Sequence, residues 1–155
     1  MKLLLQRVKN GAVHIAGQPV ASIDAGLVVL VGFGKNDTEE MPSSAVWDAL
    51  LQKMIGLRIF SDEQGKMNLS LKDTGNSLLL VPQFTLYADC RRGRRPSFTS
   101  ACPPAIASKL FDTFVEHCKA ELPDLVQCGV FGADMDVSLT NWGPVTMMLA
   151  SEDFI

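Results

Sequence analysis

The chain has 155 residues, of which 47% are hydrophobic and 20% are charged, and its formal net charge is −3. This size fits one domain whose core needs no disulfide or metal, and the composition excludes a disordered chain. The net negative charge argues against a protein that coats nucleic acid over its whole surface. The longest apolar runs, residues 27–31 and 78–82, are too short to span a bilayer, and "MKLLLQRV" is too short for a signal peptide, so we expect a cytoplasmic protein.

Strand patterns dominate the N-terminal third of the chain. Alternating or continuous apolar residues mark "KLLLQRV", "AVHIAGQPVASI" and "LVVLVG", with a turn expected at Gly17 and Gln18. These segments predict a meander that ends at Gly32. The "GFGK" that follows matches neither glycine-rich phosphate-binding template, so it is better interpreted as a turn that ends a strand.

Two stretches carry apolar residues at helical spacing. The first follows Ser43 and Ser44, which can cap a helix, and the second begins at Pro103 and Pro104 and ends before Pro123. The apolar positions are Val46, Leu50, Met54 and Leu57 in the first helix, and Ile106, Leu110, Phe114 and Cys118 in the second.

The remaining segments predict further strands. "LRIF" turns at "SDEQGK" into "MNLSL", and "SLLLVPQFTLYA" follows as a mostly buried strand. Pro82 inside this strand predicts an edge position, a bulge or an early end, with unpaired backbone after it. "VQCGVFG", "ADMDVSLT" and "VTMMLA" complete the set, and "NWGP" between the last two is interpreted as a hairpin turn. The pattern predicts one α/β domain over residues 1–155, with a mainly antiparallel sheet and two main helices.

The stretch "CRRGRRPSF" places four arginines within five residues of an otherwise acidic chain. Such clustering favours a contact with phosphate groups, as at the end of a single-stranded RNA. The alternative is a solvated loop that only aids solubility. The four residues are Arg91, Arg92, Arg94 and Arg95.

Side-chain catalysis is difficult to build from this sequence. A serine or threonine nucleophile needs a nearby base, and the two histidines, His14 and His117, fall in a strand and a helix pattern, where a structural role is favoured. Cys90 lies beside two cationic arginines, which makes it a candidate nucleophile, but no partner base accompanies it.

Metal chemistry has equally little support. Asp134 and Asp136 have no third metal ligand nearby in sequence, and the four cysteines show no zinc spacing and are expected to be free thiols. What remains is backbone chemistry: amides at "PQFTL" and carbonyls at "NWGP" can hold a small polar substrate.

Several long segments together resemble one known family. "RIFSDEQGKMNLSL", "PQFTLYAD", "RRPSF" and "FGADMDVSLTNWGPVT", in this order and with the N-terminal "LLQRV", resemble the D-aminoacyl-tRNA deacylases over nearly the whole chain. The resemblance implies a barrel-like sheet and a cytoplasmic homodimer that needs no cofactor. It also implies hydrolysis of the ester between a D-amino acid and the terminal adenosine of tRNA, a proofreading step in translation quality control. In the family, a cis Gly-Pro peptide of one subunit enters the active site of the other.

The resemblance also assigns roles to residues of this chain. Gly143 and Pro144 would form the gate that reads chirality, and the amides near Phe84 and Thr85 would stabilise the oxyanion while the vicinal ribose hydroxyl assists water. Thr85 as a nucleophile is the alternative mechanism. The implied catalytic set is Gln83, Phe84, Thr85, Gly143 and Pro144, the implied substrate-binding set is Arg7, Phe131, Ala133, Met135, Asn141, Val145 and Thr146, and the arginine cluster would contact RNA.

One position departs from the family pattern. The family usually has Ser before Gln-Phe-Thr-Leu, whereas this chain has Pro82, which removes a hydroxyl and an amide donor together. A related branch of animal deacylases also has Pro there and relaxes its rejection of small L-residues. Pro82 thus leaves two alternatives, a deacylase with relaxed rejection of small L-amino acids and a non-enzymatic RNA-binding module. A third alternative, which does not depend on Pro82, is a thiol hydrolase that uses Cys90.

Overall fold

The computed structural model describes residues 1–154 of the chain. Within them the strands are β1 (Lys2–Ile15), β2 (Gln18–Ile23), β3 (Gly26–Gly32), β4 (Phe60–Ser61), β5 (Met67–Leu69), β6 (Ser77–Pro82), β7 (Val126–Cys128) and β8 (Asp136–Ala150). The α-helices are α1 (Ala45–Gly56), α2 (Leu71–Thr74) and α3 (Pro104–Glu121). Three 3₁₀ segments cover Met41–Ser43, Phe84–Tyr87 and Ser151–Phe154.

The main sheet is built around β1. Its order is β2-β1-β3-β6-β7, and β8 lies off this path and pairs with β1. Strand β8 follows β1 over residues 2–14, whereas β3 pairs with the first half of β1 and β2 with the second half. The pairings of β1 with β2, β3 and β8 are antiparallel, whereas β6 runs parallel to β3 and β7. Because β2 also contacts β6 and β7, the sheet curls into a nearly closed barrel. The predicted fold class is confirmed: a mainly antiparallel, barrel-like α/β sheet with two main helices.

The two main helices begin where their cap residues indicate. The Ser44 side chain accepts a hydrogen bond from the Trp47 amide at 3.2 Å, which satisfies one of the unpaired N–H groups of α1. Helix α3 begins at Pro104, where the missing amide hydrogen costs nothing, and it ends before Pro123. Within residues 1–154, no helix is long and apolar enough to cross a membrane.

The core lies between the sheet and these helices. Trp47 of α1 is fully buried and makes an edge-on contact with Phe114 of α3, at 5.2 Å between ring centroids. Its indole Nε1 donates to His117 Nδ1 at 3.0 Å, which gives His117 the structural role expected of it. Burial of each large side chain of this kind contributes roughly 1.5–3 kcal/mol to the free energy of unfolding.

Several predicted boundaries were wrong. "KLLLQRV" and "AVHI" are one continuous strand, β1, and the turn after it lies at Ala16 and Gly17, one residue earlier than predicted. The strand expected in "VQCGVFG" stops at Cys128. The short helix α2, which begins at a capping box on Ser70, was not predicted.

The hairpin predicted at "NWGP" was also wrong. Both halves of β8 run antiparallel to the same strand, with Gln6 opposite Thr146 and Val8 opposite Asn141. One residue of β1, Arg7, therefore faces four residues of β8, and the chain leaves the ladder as a wide bulge without reversing direction. A Gly-Pro pair signals a local turn, but here the backbone pairing is decided by β1, which is distant in sequence.

Candidate functional site

Pro82 sets the position where β6 ends. This strand lies between β3 and β7, so of the three outcomes expected of Pro82, the early end is the one observed. The next amide, that of Gln83, still donates to the Val31 carbonyl oxygen of β3 at 2.7 Å. This bond holds the start of the following turn against the sheet.

The turn after Gln83 presents two free amide groups. Phe84–Tyr87 form one 3₁₀ turn, whose first N–H groups have no acceptor inside the turn. Within residues 1–154, neither the Phe84 amide nor the Thr85 amide has a hydrogen-bond acceptor. Two consecutive N–H groups are thus available for an oxygen of a ligand. They are part of the unpaired backbone that the sequence predicted after Pro82.

A cleft of about 620 Å³ opens beside this turn. Five of the residues expected at the active site line it together: Gln83, Phe84, Phe131, Ala133 and Met135. The other walls come from the start of α3 and from the segment before it, including Phe98, Thr99, Pro103, Pro104 and Ala107. The cleft therefore joins the free amides to a largely apolar chamber.

The wall formed by residues 129–135 is held by Met135. Its sulfur accepts a hydrogen bond from the Val130 amide at 3.4 Å. A Cβ at Gly129 would approach the same sulfur at 2.8 Å and Pro82 Cδ at 3.5 Å, so the loop, the methionine and the proline pack closely at one end of the cleft. Only a glycine fits this position without displacing a neighbour.

Phe98 is a residue of the cleft that the sequence interpretation did not select. Its ring lies edge-on to that of Phe84, with 5.0 Å between ring centroids, and both side chains are exposed. An exposed aromatic pair is the usual platform on which unpaired bases stack. The available signal was the phenylalanine that ends "CRRGRRPSF", next to the arginines that were selected.

The hydroxyl of Thr85 has no base beside it. It accepts a hydrogen bond from Gln83 Nε2, and both side chains are on the surface. His14 and His117 lie on other elements, and the Trp47 indole occupies His117 Nδ1. This arrangement gives no means of removing the Thr85 proton.

Arg7 fills the space inside the β8 bulge. The side chain is buried, its Nε donates to the Trp142 carbonyl oxygen at 2.9 Å and its Nη1 donates to the Ile59 carbonyl oxygen at 2.5 Å. The guanidinium also lies over the Trp142 ring, 5.0 Å from its centroid. One cation therefore ties β1, the bulge and the segment after α1 together.

The rest of the bulge is held by Asn141. Its Nδ2 donates to Thr146 Oγ1, and its Oδ1 accepts from the Val145 amide, each at 2.8 Å. Between these contacts lie Gly143, at φ +128°, and Pro144, joined by a cis peptide bond and both exposed. The residues expected around the Gly-Pro pair are thus brought together.

The two groups of predicted residues lie in different places within one chain. Gly143 and Pro144 are on β8, whose only partner strand among residues 1–154 is β1, and they do not line the cleft beside Phe84. The catalytic set expected from the sequence is therefore divided between a cleft and an exposed strand of the sheet edge.

The arginine-rich segment forms a small hairpin. The amide of Asp89 donates to the Ser97 carbonyl oxygen at 2.8 Å and the Ser97 amide donates to the Asp89 carbonyl oxygen at 2.9 Å, which closes residues 90–96 into a loop. Gly93 adopts φ +67° at its tip. The loop starts three residues after Tyr87, the last residue of the turn with the free amides, so it closely follows that turn along the chain.

The four arginines differ in their contacts. Arg91 makes a two-pronged ion pair with the Asp89 carboxylate at 2.8 and 2.7 Å, and the guanidinium holds the pKa of Asp89 well below its usual range. Arg92, Arg94 and Arg95 are exposed and have no side-chain hydrogen bond to any of residues 1–154. Three of the four guanidinium groups are therefore unengaged.

The cysteines are not grouped with catalytic partners. Burial raises the pKa of the Cys118 thiol to about 12 and also raises the thiol pKa of Cys102 and Cys128. Cys90 is exposed on the arginine hairpin. The described part of the chain contains no group of three His, Cys, Asp or Glu residues suited to hold a metal ion.

Comparison with known proteins gives consistent matches over almost the entire chain. A family model described as D-Tyr-tRNA(Tyr) deacylase matches residues 4–150. A D-aminoacyl-tRNA deacylase of Solidesulfovibrio magneticus is 57% identical over 99% of this chain and 97% of its own, and one of Pseudomonas putida is 54% identical over 96% and 99%. A solved structure described as c-Myc DNA Unwinding Element Binding Protein is 34% identical, with a TM-score of 0.87 over 97% of this chain and 98% of that chain. The chain therefore belongs to the D-Tyr-tRNA(Tyr) deacylase family, and both the resemblance and the enzyme class predicted from its sequence are confirmed.

Proposed function

We propose that this protein hydrolyses the ester bond of D-aminoacyl-tRNA and releases the free D-amino acid and tRNA. Membership of the family supports the reaction, and one observation carries the mechanism: the two unpartnered amides of Phe84 and Thr85 beside the cleft. An aminoacyl ester is already activated, so donors for the developing oxyanion are the main requirement. Each such donor lowers the barrier by about 3–4 kcal/mol.

The reaction then proceeds without a side-chain base. Water attacks the ester carbonyl carbon, assisted by the vicinal hydroxyl of the terminal ribose, and the carbonyl oxygen becomes an oxyanion held by the two amides. When this intermediate collapses, the bond to the ribose oxygen breaks, and the proton released by the attacking water passes through the vicinal hydroxyl to the leaving ribose oxygen. Thr85 takes no covalent part, because its hydroxyl has no base within reach.

The direct test is the release of D-tyrosine from D-tyrosyl-tRNA by the purified protein, with L-tyrosyl-tRNA as the comparison substrate. We expect rapid release from the D-ester only. Release no faster than the spontaneous rate from either substrate contradicts the proposal, and tRNA binding without hydrolysis points instead to an RNA-binding module.

Chirality is proposed to be read by backbone at Gly143 and Pro144. If their carbonyl oxygens bind the substrate amino group, an L side chain points into the gate and a D side chain points outward. Glycine has no side chain to reject, so glycyl-tRNA is expected to be cleaved as well. The contacts of Arg7 and Asn141 support this role because they fix the bulge on both sides of the pair.

The gate is proposed to serve the cleft of a second copy of the chain in a homodimer. Gly143 and Pro144 do not line the cleft of their own chain, whereas β8 is exposed and presents Val137, Trp142 and Met148 to solvent. An exposed strand of this length with large apolar side chains is a surface that proteins ordinarily cover.

Complementation between two inactive variants tests the shared site. Gly143→Ala disables the gate and leaves the cleft intact, and Ala133→Trp fills the cleft and leaves the gate intact. When the two are refolded together, mixed dimers contain one intact site, and activity is expected to return to about a quarter of the wild-type value at equal mixing. Activity that stays absent in the mixture, or a fully active monomer, contradicts the cross-subunit gate.

The tRNA 3′ end is proposed to be held by the arginine hairpin and the aromatic pair. Phosphates of the single-stranded end would meet the unengaged guanidinium groups, and its bases would stack on Phe84 and Phe98. Both features border the turn that carries the amides, so the ester would be delivered to the cleft.

A second candidate specificity is favoured by Pro82. This residue packs against the loop at Gly129 and offers no amide donor at the end of β6. A deacylase with relaxed rejection of small L-residues would cleave L-alanyl-tRNA as well. Comparison of L-alanyl-tRNA and L-tyrosyl-tRNA in wild-type protein and in Pro82→Ser tests this candidate: cleavage of L-alanyl-tRNA that falls on substitution supports it.

A further inference from the structure

The turn that carries the two free amides packs against two glycines of the "GFGK" stretch. A Cβ at Gly32, the last residue of β3, would lie 2.8 Å from the Gln83 carbonyl oxygen and 3.1 Å from Leu86 Cβ. A Cβ at Gly34 would lie 2.5 Å from Cε1 of the Tyr87 ring. Neither glycine has an unusual φ, so what each position excludes is a side chain and not a backbone conformation.

The contact at Gly32 reaches the proposed oxyanion donors through one peptide unit. The Gln83 carbonyl and the Phe84 N–H belong to the same planar group, so any tilt of the carbonyl redirects the N–H by the same angle. The preceding peptide is held as well, because the Gln83 amide donates to the Val31 carbonyl oxygen at 2.7 Å. The nearest atom to a methyl group at position 32 is the backbone oxygen of Gln83, and moving that oxygen rotates the peptide that carries the Phe84 N–H.

The contact at Gly34 acts at the other end of the same turn. The Tyr87 ring is half-buried, and the ammonium group of Lys2, the first residue of β1, lies 4.7 Å from the centroid of this ring. Burial and the negative charges of Asp37 and Glu152 raise the pKa of the Tyr87 phenol, in agreement with a ring that is closely enclosed. The turn is thus fixed at its first peptide by Gly32 and at its last residue by Gly34.

We infer that Gly32 and Gly34 are positioning residues for the reaction: by lacking a side chain, they set the direction of the Phe84 and Thr85 amides. This inference rests on the proposed function of those amides. It predicts a decrease in kcat that is much larger than any change in KM, because the arginine hairpin and the cleft walls away from the turn are unaffected. A misplacement of the donors by about 1 Å is sufficient, since an error of that size can lower the rate by about 100-fold.

The test compares Gly32→Ala with Gly26→Ala, a matched control from the other end of β3. A Cβ at Gly26 would meet the backbone oxygen of Ser77 at 1.9 Å, so both variants push against the backbone next to the same strand, β6, but only one lies beside the turn. Gly32→Ala is expected to lower kcat for D-tyrosyl-tRNA by about 10- to 100-fold with KM within about threefold. Gly26→Ala is expected to lower the free energy of unfolding while the folded fraction keeps its kcat.

Gly11→Ala is the second control, for use if Gly26→Ala does not fold. Its Cβ would meet Val28 Cγ2 at 2.7 Å and side-chain atoms of Leu79 and Ile23 at 3.6 and 3.7 Å, so it presses on side chains of the core and not on the backbone beside the turn. If Gly32→Ala does not fold, Gly34→Ala replaces it. Gly34→Ala is expected to lower kcat less than Gly32→Ala. This decrease should disappear in a Tyr87→Val background, because the aromatic ring that a Cβ at position 34 would displace is no longer there. An additive effect in the double variant overturns the inference.

A readout independent of activity separates this inference from the proposed function. In ¹⁵N-labelled protein, the Phe84 and Thr85 amide resonances are expected to shift in Gly32→Ala and to stay in place in Gly11→Ala. Unshifted resonances, or a wild-type kcat in Gly32→Ala, overturn the positioning role. If the wild-type protein is inactive but the Phe84 and Thr85 resonances shift in Gly32→Ala, only the proposed function is contradicted.

Discussion

The buried guanidinium of Arg7 is bound to the backbone of Trp142, its Nε donating to the carbonyl oxygen at 2.9 Å while its charge lies over the indole ring. The carbonyl that accepts this bond belongs to the residue directly before Gly143. The direction of the proposed gate therefore depends on a side chain from a different strand, β1, more than 130 positions away in sequence.

Replacement of Arg7 by lysine is expected to lower both stability and activity. A lysine keeps the charge but lacks the planar fork that reaches the Trp142 and Ile59 carbonyl oxygens together. Loss of one such charged hydrogen bond should reduce the free energy of unfolding by about 1.5–3 kcal/mol. Urea unfolding and D-tyrosyl-tRNA hydrolysis measure the two effects, with the exposed Arg58→Lys as control. Unchanged activity in Arg7→Lys contradicts a role in holding the gate.

Substitution of Gly143 is expected to abolish the reaction. A Cβ there would lie 2.8 Å from Arg7 Nη2 and 2.9 Å from Val145 Cγ2, on a backbone at φ +128°. We expect Gly143→Ala to lower kcat/KM for D-tyrosyl-tRNA by at least about 100-fold, because the carbonyls that are proposed to hold the amino group move. Gly17→Ala is the matched control: it also has a positive φ, of +77°, but its Cβ would meet nothing within 4 Å. Equal losses in the two variants argue for a general stability effect instead.

Removal of the Thr85 hydroxyl distinguishes the two proposed mechanisms. Because that hydroxyl contacts Gln83 and no base, Thr85→Ala should leave the main-chain donors in place. The expected decrease in kcat is about tenfold or less, whereas a nucleophile would cost several thousandfold. Single-turnover rates with D-tyrosyl-tRNA decide between these values.

Cys90→Ser, made in parallel, should retain nearly full activity, and a large loss there supports the thiol alternative.

The arginine hairpin predicts a salt dependence that differs among its members. With three unengaged guanidinium groups on phosphates, the logarithm of the tRNA association constant should fall with the logarithm of salt concentration at a slope of about −2, against about −3 for all four. Arg94→Ala should make the slope shallower by about 0.7, and Arg91→Ala should change it little because Arg91 is paired with Asp89. Lys119→Ala, paired with Glu116 on α3, is the control. A flat salt response in the wild-type protein contradicts a phosphate contact.

Cys118 predicts a loss of stability in alkali. Burial raises its pKa from 9.0 to about 12 in the folded protein, so the unfolded chain releases this proton first. The stabilising contribution is therefore complete below pH 9 and is lost as the pH rises from about 9 towards 12. Between pH 8 and pH 10, the wild-type protein should lose about 1 kcal/mol more of its free energy of unfolding than Cys118→Ala. Parallel urea titrations measure the difference, and equal losses contradict the assignment.

Local sequence patterns predicted the positions of helices and strands well, but they did not predict how far each strand pairs with its neighbours. Helices α1 and α3 were predicted from Ser44, Pro104 and their apolar stripes, because caps and helical spacing depend on neighbours in sequence. The bulge at Gly143 was predicted as a hairpin, since its pairing depends on β1. Strand β7 ends at Cys128, directly before the close approach of Met135 to Gly129, a contact that no local pattern records.

The candidate site was predicted in the same uneven way. Residues near Gln83 and Phe131 converge on one cleft, as expected, because the resemblance covers long segments in order. Phe98 was missed because a single aromatic residue after a charged stretch has no distinctive spacing. The contrast between Arg91 and its neighbours follows from the Asp89 carboxylate, which accepts hydrogen bonds from both the amide and the guanidinium of Arg91, a local pairing that the sequence interpretation did not consider.

The two tryptophans of the chain stand at opposite kinds of position. Trp47 is completely buried and bonded to His117, whereas Trp142 is partly exposed at the bulge under the Arg7 guanidinium. Fluorescence from the first therefore reports whether the core is intact, and fluorescence from the second reports changes at the bulge. A Trp47→Phe protein would carry a single tryptophan beside Gly143, so that the proposed arrival of a substrate amino group at this bulge could be followed without any label on the tRNA.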